Sequence, residues 1–221
     1  GHRVLVVEAG AGTGKTTTLR MIGDCLPGRG QYTAFNSSLV EESKEKFHGT
    51  KVACNTTHSL GFRAVGKEYS HRIGAQRMKS ELLAKMLGIT AMKITVSLAT
   101  TANPVERTLA PSYLAGQVMG AIRRYCQSAD AEVGLEHFRY IDGIDIPTEL
   151  GGRTYTNNKH VRETLLPFAT KAWADLSSKN GQLPFQHDHY VKIWQLSKPI
   201  ISGDYILLDE CFPAEALVQT D

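Results

Sequence analysis

Short apolar runs alternate with helical periodicities through the first third of the chain. Residues 4–8, VLVVE, form a β-branched apolar run closed by small residues and glycine, and a helical pattern follows from residue 15 to about residue 26. The break Pro27-Gly28-Arg29-Gly30 precedes a second predicted strand in YTAF, residues 32–35. A helix is then expected over residues 39–47, its run EESKEK marking a solvated face. KVAC, residues 51–54, reads as another strand, and residues 57–65 as a helix capped by Thr56 or Thr57. Strands alternating with helices predict a parallel sheet.

From about residue 68 to residue 184 the strand signal falls away. Helical segments replace it, notably 77–88, 110–128 and 159–179, so a mostly helical insertion is expected over 68–185. The strand pattern returns in residues 205–208, YILL, which end in two carboxylates and should rejoin the first sheet. No internal repeat or low-complexity tract interrupts this order.

Composition narrows the class. At 221 residues, 42% hydrophobic and 21% charged, the chain is expected to be globular. No apolar run approaches the roughly 20 residues of a membrane span, so no membrane partner is expected. A formal charge of +3 permits a polyanionic partner without arguing for one. Cys25, Cys54, Cys126 and Cys211 include no CxxC pair, which points to reduced thiols in an intracellular protein, cytoplasmic or nuclear.

The first chemical signal is Ala9-Gly10-Ala11-Gly12-Thr13-Gly14-Lys15-Thr16, followed by Thr17, between a predicted strand and a predicted helix. That context is what a phosphate-binding loop requires. Glycines let successive backbone N–H groups point at the β-phosphate, the helix N-terminus adds its dipole, Lys15 supplies a point charge, and the Thr16 hydroxyl can ligate Mg²⁺. The strict pattern begins with Gly where this chain has Ala9. The second signal is the carboxylate pair at the end of the last apolar run. Asp209 is expected to hold Mg²⁺, and Glu210 to orient or deprotonate the water that attacks the γ-phosphate.

With these residues in view, the chain resembles the N-terminal, ATP-binding part of the UvrD-like superfamily 1 DNA helicases. AGAGTGKTTTL, residues 9–19, is similar to the first motif of that family, where Ala or Gly occupies the first position. TAFNSS at 33–38 resembles the next motif and TTHSLGFRAVG at 56–66 the following one. LPFQHDHYVKIWQLS at 183–197, with LLDE at 207–210, looks like the subgroup that includes the F-box DNA helicases.

The resemblance implies a RecA-like P-loop NTPase fold of class α/β. A motor domain over 1–67 and 186–221 would be interrupted by the helical subdomain 68–185. It implies ATP and Mg²⁺ as cofactors, single-stranded DNA as partner, and ATP-driven unwinding in the 3′ to 5′ direction. It also implies DNA contacts by Phe35, Asn36, Thr57, His58 and Ser59. The aromatic ring offers a base a stacking surface, and the polar groups can hold phosphates without reading sequence. Phe35 and His58 could equally serve as a core residue and a helix-cap histidine.

The chain departs from the family after Glu210. Cys211-Phe212-Pro213-Ala214 stands where the family has Ala-Gln, and Phe212 cannot make the hydrogen bond of that glutamine. The family's remaining motifs would lie beyond Asp221, so a fragment is expected. A non-catalytic ATP- and DNA-binding remnant is therefore the alternative to a working motor. A small-molecule kinase would need an acceptor site and a basic lid, and the sequence offers neither. His187-Asp188-His189 reads as capping or surface chemistry, and Arg123, Arg124, Lys192 and Lys198 as solvated positions.

Overall fold

The computed structural model describes residues 4–6, 12–34, 36–74, 77–96, 105–145 and 157–209. The chain forms two compact units, one of Gly1–Ser70 with Tyr190–Asp221 and the other of His71–His189.

In the first unit, α1 (Lys15–Cys25), β1 (Gly30–Ala34), α2 (Ser37–Lys46), β2 (Val52–Thr56) and α3 (Thr57–Ala64) follow one another, and β5 (Tyr205–Leu208) closes the sheet. The strand order is β2-β1-β5. Both pairings are parallel, with Ala34 opposite Thr56 and Thr33 opposite Leu208. This is a mixed α/β unit built on a parallel three-stranded sheet. Strand β1 is buried along its whole length, as a strand in the middle of a parallel sheet must be. Tyr32, Ala34, Val40, Phe47 and Leu207 form the core, with Leu19 and Ile22 of α1 packed against it. On α2 the expected solvated face carries exposed i,i+3 and i,i+4 pairs, Lys44 with Glu41 and Lys46 with Glu42, each of small energetic weight.

Several boundaries move. Strand β1 starts two residues before the expected YTAF, and α2 starts at Ser37, where Asn36 accepts a hydrogen bond from the Leu39 N–H at 2.9 Å. The strand expected in the run at residues 4–8 is not seen in its described part: Val4, Leu5 and Val6 belong to no strand and are strongly exposed. A β-branched run sets a local preference only. A strand also needs a ladder partner, and among the described residues 4–6 have none.

In the second unit, α4 (Ser80–Leu87), α5 (Pro111–Cys126) and α6 (Asn157–Ser177) pack with a hairpin of β3 (Met92–Val96) and β4 (Val105–Leu109). Buried positions on α5 fall at Leu114, Val118, Ala121, Ile122 and Tyr125, and on α6 at Val161, Leu165, Ala169, Ala172 and Leu176. These i, i+3/i+4 stripes give each helix one apolar face, and the alanines within them allow close approach. The unit is thus mostly helical, and the antiparallel hairpin is an element that the sequence pattern did not announce. Arg72, 6% exposed, closes the C-terminal end of α6 by donating to the carbonyls of Leu176 at 3.1 Å and Asp175 at 3.3 Å, and to that of Ser178. Its guanidinium also lies 4.9 Å from the Phe185 ring centroid. A cation there complements the helix dipole and satisfies carbonyls that have no partner within the helix.

The last helix, α7 (His187–Leu196), contains His189 and Lys192, both among the positions read as capping, surface or solvated. His189 is buried and its Nδ1 accepts from the Gln186 N–H at 3.0 Å, a capping arrangement. Lys192 departs from expectation: it is 1% exposed, on the same helix as buried Tyr190 and Trp194, where a solvated lysine was expected. No helix among the described residues is long and apolar enough to cross a membrane.

Candidate active site

Parallel strands bring their carboxyl ends to one edge of a sheet, and in open α/β sheets ligands collect there. Asn36 follows the end of β1, Thr57, His58 and Ser59 follow β2, and Asp209 follows β5. Asn36, Thr57, His58, Ser59 and Asp209 therefore emerge from neighbouring strands at the same edge.

Gly12 and Gly14 have φ of +74° and +84°, left-handed values that cost a residue with a Cβ roughly 1 kcal/mol or more. This turn delivers the chain into α1, whose N-terminus has no side-chain cap and no acid in its first turn. The first N–H groups of α1 are thus not claimed by a side chain of the helix itself. Lys15 and Thr16, half-buried, begin the helix, while Thr13 and Thr17 are exposed. At the other end of α1, the Tyr205 hydroxyl of β5 donates to the Gly23 carbonyl at 3.0 Å, which fixes the helix against the strand that carries Asp209.

The consequence is a contact across 193 sequence positions: the Thr16 Oγ1 hydroxyl donates to Asp209 Oδ2 at 2.8 Å. The same carboxylate oxygen accepts from the Tyr32 hydroxyl at 2.7 Å, and the Asp209 N–H donates to the Thr33 carbonyl at 3.0 Å. Asp209 is 7% exposed and Tyr32 fully buried. Burial pushes the Tyr32 phenol above its ordinary range, Ser43 pulls it back in part, and Asp209 adds to the rise. The phenol thus stays protonated and acts as a donor to Asp209. Sequence reasoning missed Tyr32. Its role depends on the β1–β5 pairing, which sets Tyr32 opposite Leu207, and no local pattern announces that pairing.

The donor set fits a hard divalent cation. A hydroxyl and a carboxylate converge in a buried setting, and oxygen ligands of this kind suit Mg²⁺ held partly through water. The open space where a Cβ of Gly12 would stand and the unclaimed helix N-terminus fit a polyphosphate. Thr16 and Asp209 would hold the cation, and Lys15 would face the phosphates.

The positions expected to touch DNA have local roles of their own. Asn36 caps α2. Thr56 and Ser59 form a capping box, with Ser59 N–H donating to Thr56 Oγ1 at 2.9 Å and Thr56 N–H to Ser59 Oγ at 3.1 Å. The His58 ring meets Tyr190 edge-on at 6.3 Å. Thr57, His58 and Ser59 are all half-exposed, so their outer surfaces stay accessible. Ala9, Gly10, Ala11, Phe35 and Glu210 lie outside the described residues.

Comparison with known proteins follows the same line. Over 222 aligned positions, 96% of this chain, it is 27% identical to F-box DNA helicase 1 of Gallus gallus. Over 217 positions, 94% of the chain, it is 27% identical to F-box DNA helicase protein 1 of Schizosaccharomyces pombe. The chain spans about a fifth of the length of these curated relatives, 20% and 22% respectively. No family model and no solved structure matches it.

Proposed function

From this relationship to the F-box DNA helicases, we propose that the chain is the ATP-binding part of a P-loop DNA helicase, using residues 9–17 for the phosphates and Thr16 with Asp209 for Mg²⁺. The observation that carries the proposal is the Thr16–Asp209 contact of 2.8 Å. It joins the end of a glycine-rich turn to the carboxyl end of a neighbouring strand, as Mg²⁺-nucleotide chemistry requires.

Each residue then has a stated task. Backbone N–H groups at the start of α1 and the Lys15 ammonium neutralise phosphate oxygens. Tyr32 donates to Asp209 Oδ2 and fixes the rotamer of its carboxylate, while no described residue bonds the other oxygen. Glu210, next in the chain, would orient the attacking water and accept its proton. Mg²⁺ held by Thr16 and Asp209 would supply neutralisation of the phosphate charge. Asn36, Thr57, His58 and Ser59, at the same edge of the sheet, would hold a single strand of DNA beside the nucleotide, with Phe35 offering a base its ring. In that position a strand can influence hydrolysis, and hydrolysis can drive translocation along it in the 3′ to 5′ direction.

Phe212, where the family has glutamine, makes the coupling the feature to test. ATP turnover by this chain is expected to rise at least severalfold when oligo-thymidylate is added, measured by phosphate release at saturating Mg²⁺. Turnover indifferent to DNA, beside intact ATP binding, would favour the second reading of an ATP- and DNA-binding module without motor activity. Transfer of phosphate to an acceptor other than water would exclude the helicase reading.

A further inference from the structure

An open cleft of about 510 Å³ lies within the 71–189 unit, between β4, the N-terminal half of α5 and the stretch 139–144. This volume falls within the roughly 300–1,000 Å³ common to ligand sites. Two arginines and two tyrosines line it, Arg107, Arg139, Tyr113 and Tyr140, together with Gln117 and Asp142.

Arg107 owes its place to strand register. It stands opposite Ile94 and two residues before Leu109, both buried, and side chains two apart share a face. Arg107 therefore leaves the hairpin on the side packed against the helices, yet it is exposed, because the cleft opens where a core residue would otherwise be covered. Neither the Arg107 nor the Arg139 guanidinium makes a hydrogen bond or ion pair with a described residue. Across the second face of the hairpin, by contrast, Lys93 is paired with Glu106 at 2.8 Å.

Positive charge continues past its edge. Burial, followed by the nearby charges of Arg139 and Arg123, holds Arg124 below its ordinary value. Its Nη2 is buried without a hydrogen-bond partner among the described residues. Among the described residues, two arginines and Asp142 line the cleft, and Asp145 and Arg162, both against Tyr140, add one charge of each sign, so the balance stays cationic.

The aromatic rings are presented, not stored. Tyr113 is 42% and Tyr140 57% exposed. The Tyr140 hydroxyl donates to Asp145 at 2.8 Å and the Arg162 guanidinium lies 5.9 Å from its ring centroid, so the ring is oriented before any ligand arrives. Arginines for phosphates beside pre-set rings for bases are the two components of sequence-tolerant single-strand binding. A duplex hides the faces of its bases and would leave the tyrosines unused.

We propose that this cleft binds single-stranded nucleic acid, with Arg107 and Arg139 on the phosphates and Tyr113 and Tyr140 on the bases, as a contact separate from the sheet-edge residues of the first unit. The inference rests on the DNA-helicase reading for its choice of polymer. Its residues and its failure are separable from that reading.

The test uses the whole chain and a fluorescein-labelled oligo-thymidylate of about 16 nucleotides, followed by anisotropy over a series of salt concentrations. Replacing both arginines, Arg107→Ala with Arg139→Ala, is expected to weaken binding at least tenfold at low salt. The slope of log K against log salt should shrink by about 1.4, since each phosphate contact on a single strand contributes about 0.7. The pair Arg107→Lys with Arg139→Lys should restore the slope, and Tyr113→Ala with Tyr140→Ala should weaken binding about tenfold without changing it. Unchanged affinity and slope in the alanine pair, while Lys15-dependent ATP binding persists, overturns this inference alone. So does a wild-type chain that ignores the strand, or one that prefers the matching duplex through the same arginines. Strand binding that needs Arg107 and Arg139 in a chain with no Lys15-dependent ATP binding sinks the helicase reading and leaves the cleft standing.

Discussion

Replacing Asp209 by asparagine is expected to lower Mg²⁺-supported ATP hydrolysis by about 10³-fold, equivalent to about 4 kcal/mol of transition-state stabilisation. The substitution keeps the side-chain shape and an acceptor oxygen for the Thr16 and Tyr32 hydroxyls, now at 2.8 and 2.7 Å. It removes the charge that would draw the cation to Thr16. Because Asp209 is 7% exposed, water cannot easily replace the lost charge, and a buried carboxylate acts on a cation through a lower effective dielectric than an exposed one. Folding should survive, because the packing of Tyr32 and Leu207 beneath it is unchanged. Phosphate release by wild type and variant, at saturating ATP and Mg²⁺ and with matched unfolding curves, measures the effect. Turnover within threefold of wild type would remove Asp209 from the site.

Acidification should destabilise the 71–189 unit through one histidine. His189 is buried, with the Phe185 ring edge-on at 5.2 Å and Arg72 among the groups acting on it. Burial first, with Arg72 adding to it and Asp188 opposing, lowers its pKa to about 4, against an ordinary value of about 6.5. Above pH 6.5 both the folded and unfolded chains hold it neutral and it contributes no pH dependence. Between about 6.5 and 4 the unfolded chain takes up the proton and the folded chain does not, so stability falls as pH falls. The loss levels off below pH 4 at about 3 kcal/mol, because each pH unit between the two values is worth about 1.4 kcal/mol. Urea unfolding of the wild type and His189→Asn at pH 7 and pH 5 separates this histidine from the carboxylates that also titrate in acid. The variant should be less stable at pH 7 but less sensitive to acid. An equally steep loss in the variant would mean that His189 charges freely in the folded chain.

The parts of the fold that could be read from sequence are those whose cause is local. The α1–β1–α2–β2–α3 order followed from short strands punctuated by glycine and proline, and the hydroxyls of Thr56 and Thr57 marked a helix start whose cap is Thr56. Asp209 was readable because a strand of four apolar residues, YILL, ends in it. The β3–β4 hairpin was less legible, although Met92-Lys93-Ile94-Thr95-Val96 alternates as a half-buried strand should. Its partner Val105–Leu109 is exposed at four of five positions and so lacks an apolar face in sequence. The remaining misses are matters of tertiary context. Tyr32 gains its role from a parallel pairing with a strand more than 170 positions away. Lys192 looked solvated because charge is a good guide to exposure only until a helix places it on a buried face. Val4, Leu5 and Val6 have strand propensity without a ladder among the described residues.

The central claim is that Lys15, Thr16 and Asp209 form one Mg²⁺-nucleotide site, and equilibrium titration of a fluorescent ATP analogue tests it most directly. It would be run on the wild type and on Lys15→Ala, in Mg²⁺ and again in excess EDTA. Saturable binding that weakens about a hundredfold or more in Lys15→Ala and falls when Mg²⁺ is chelated is the predicted result. Binding that is absent, or indifferent to both Lys15 and Mg²⁺, would contradict the account.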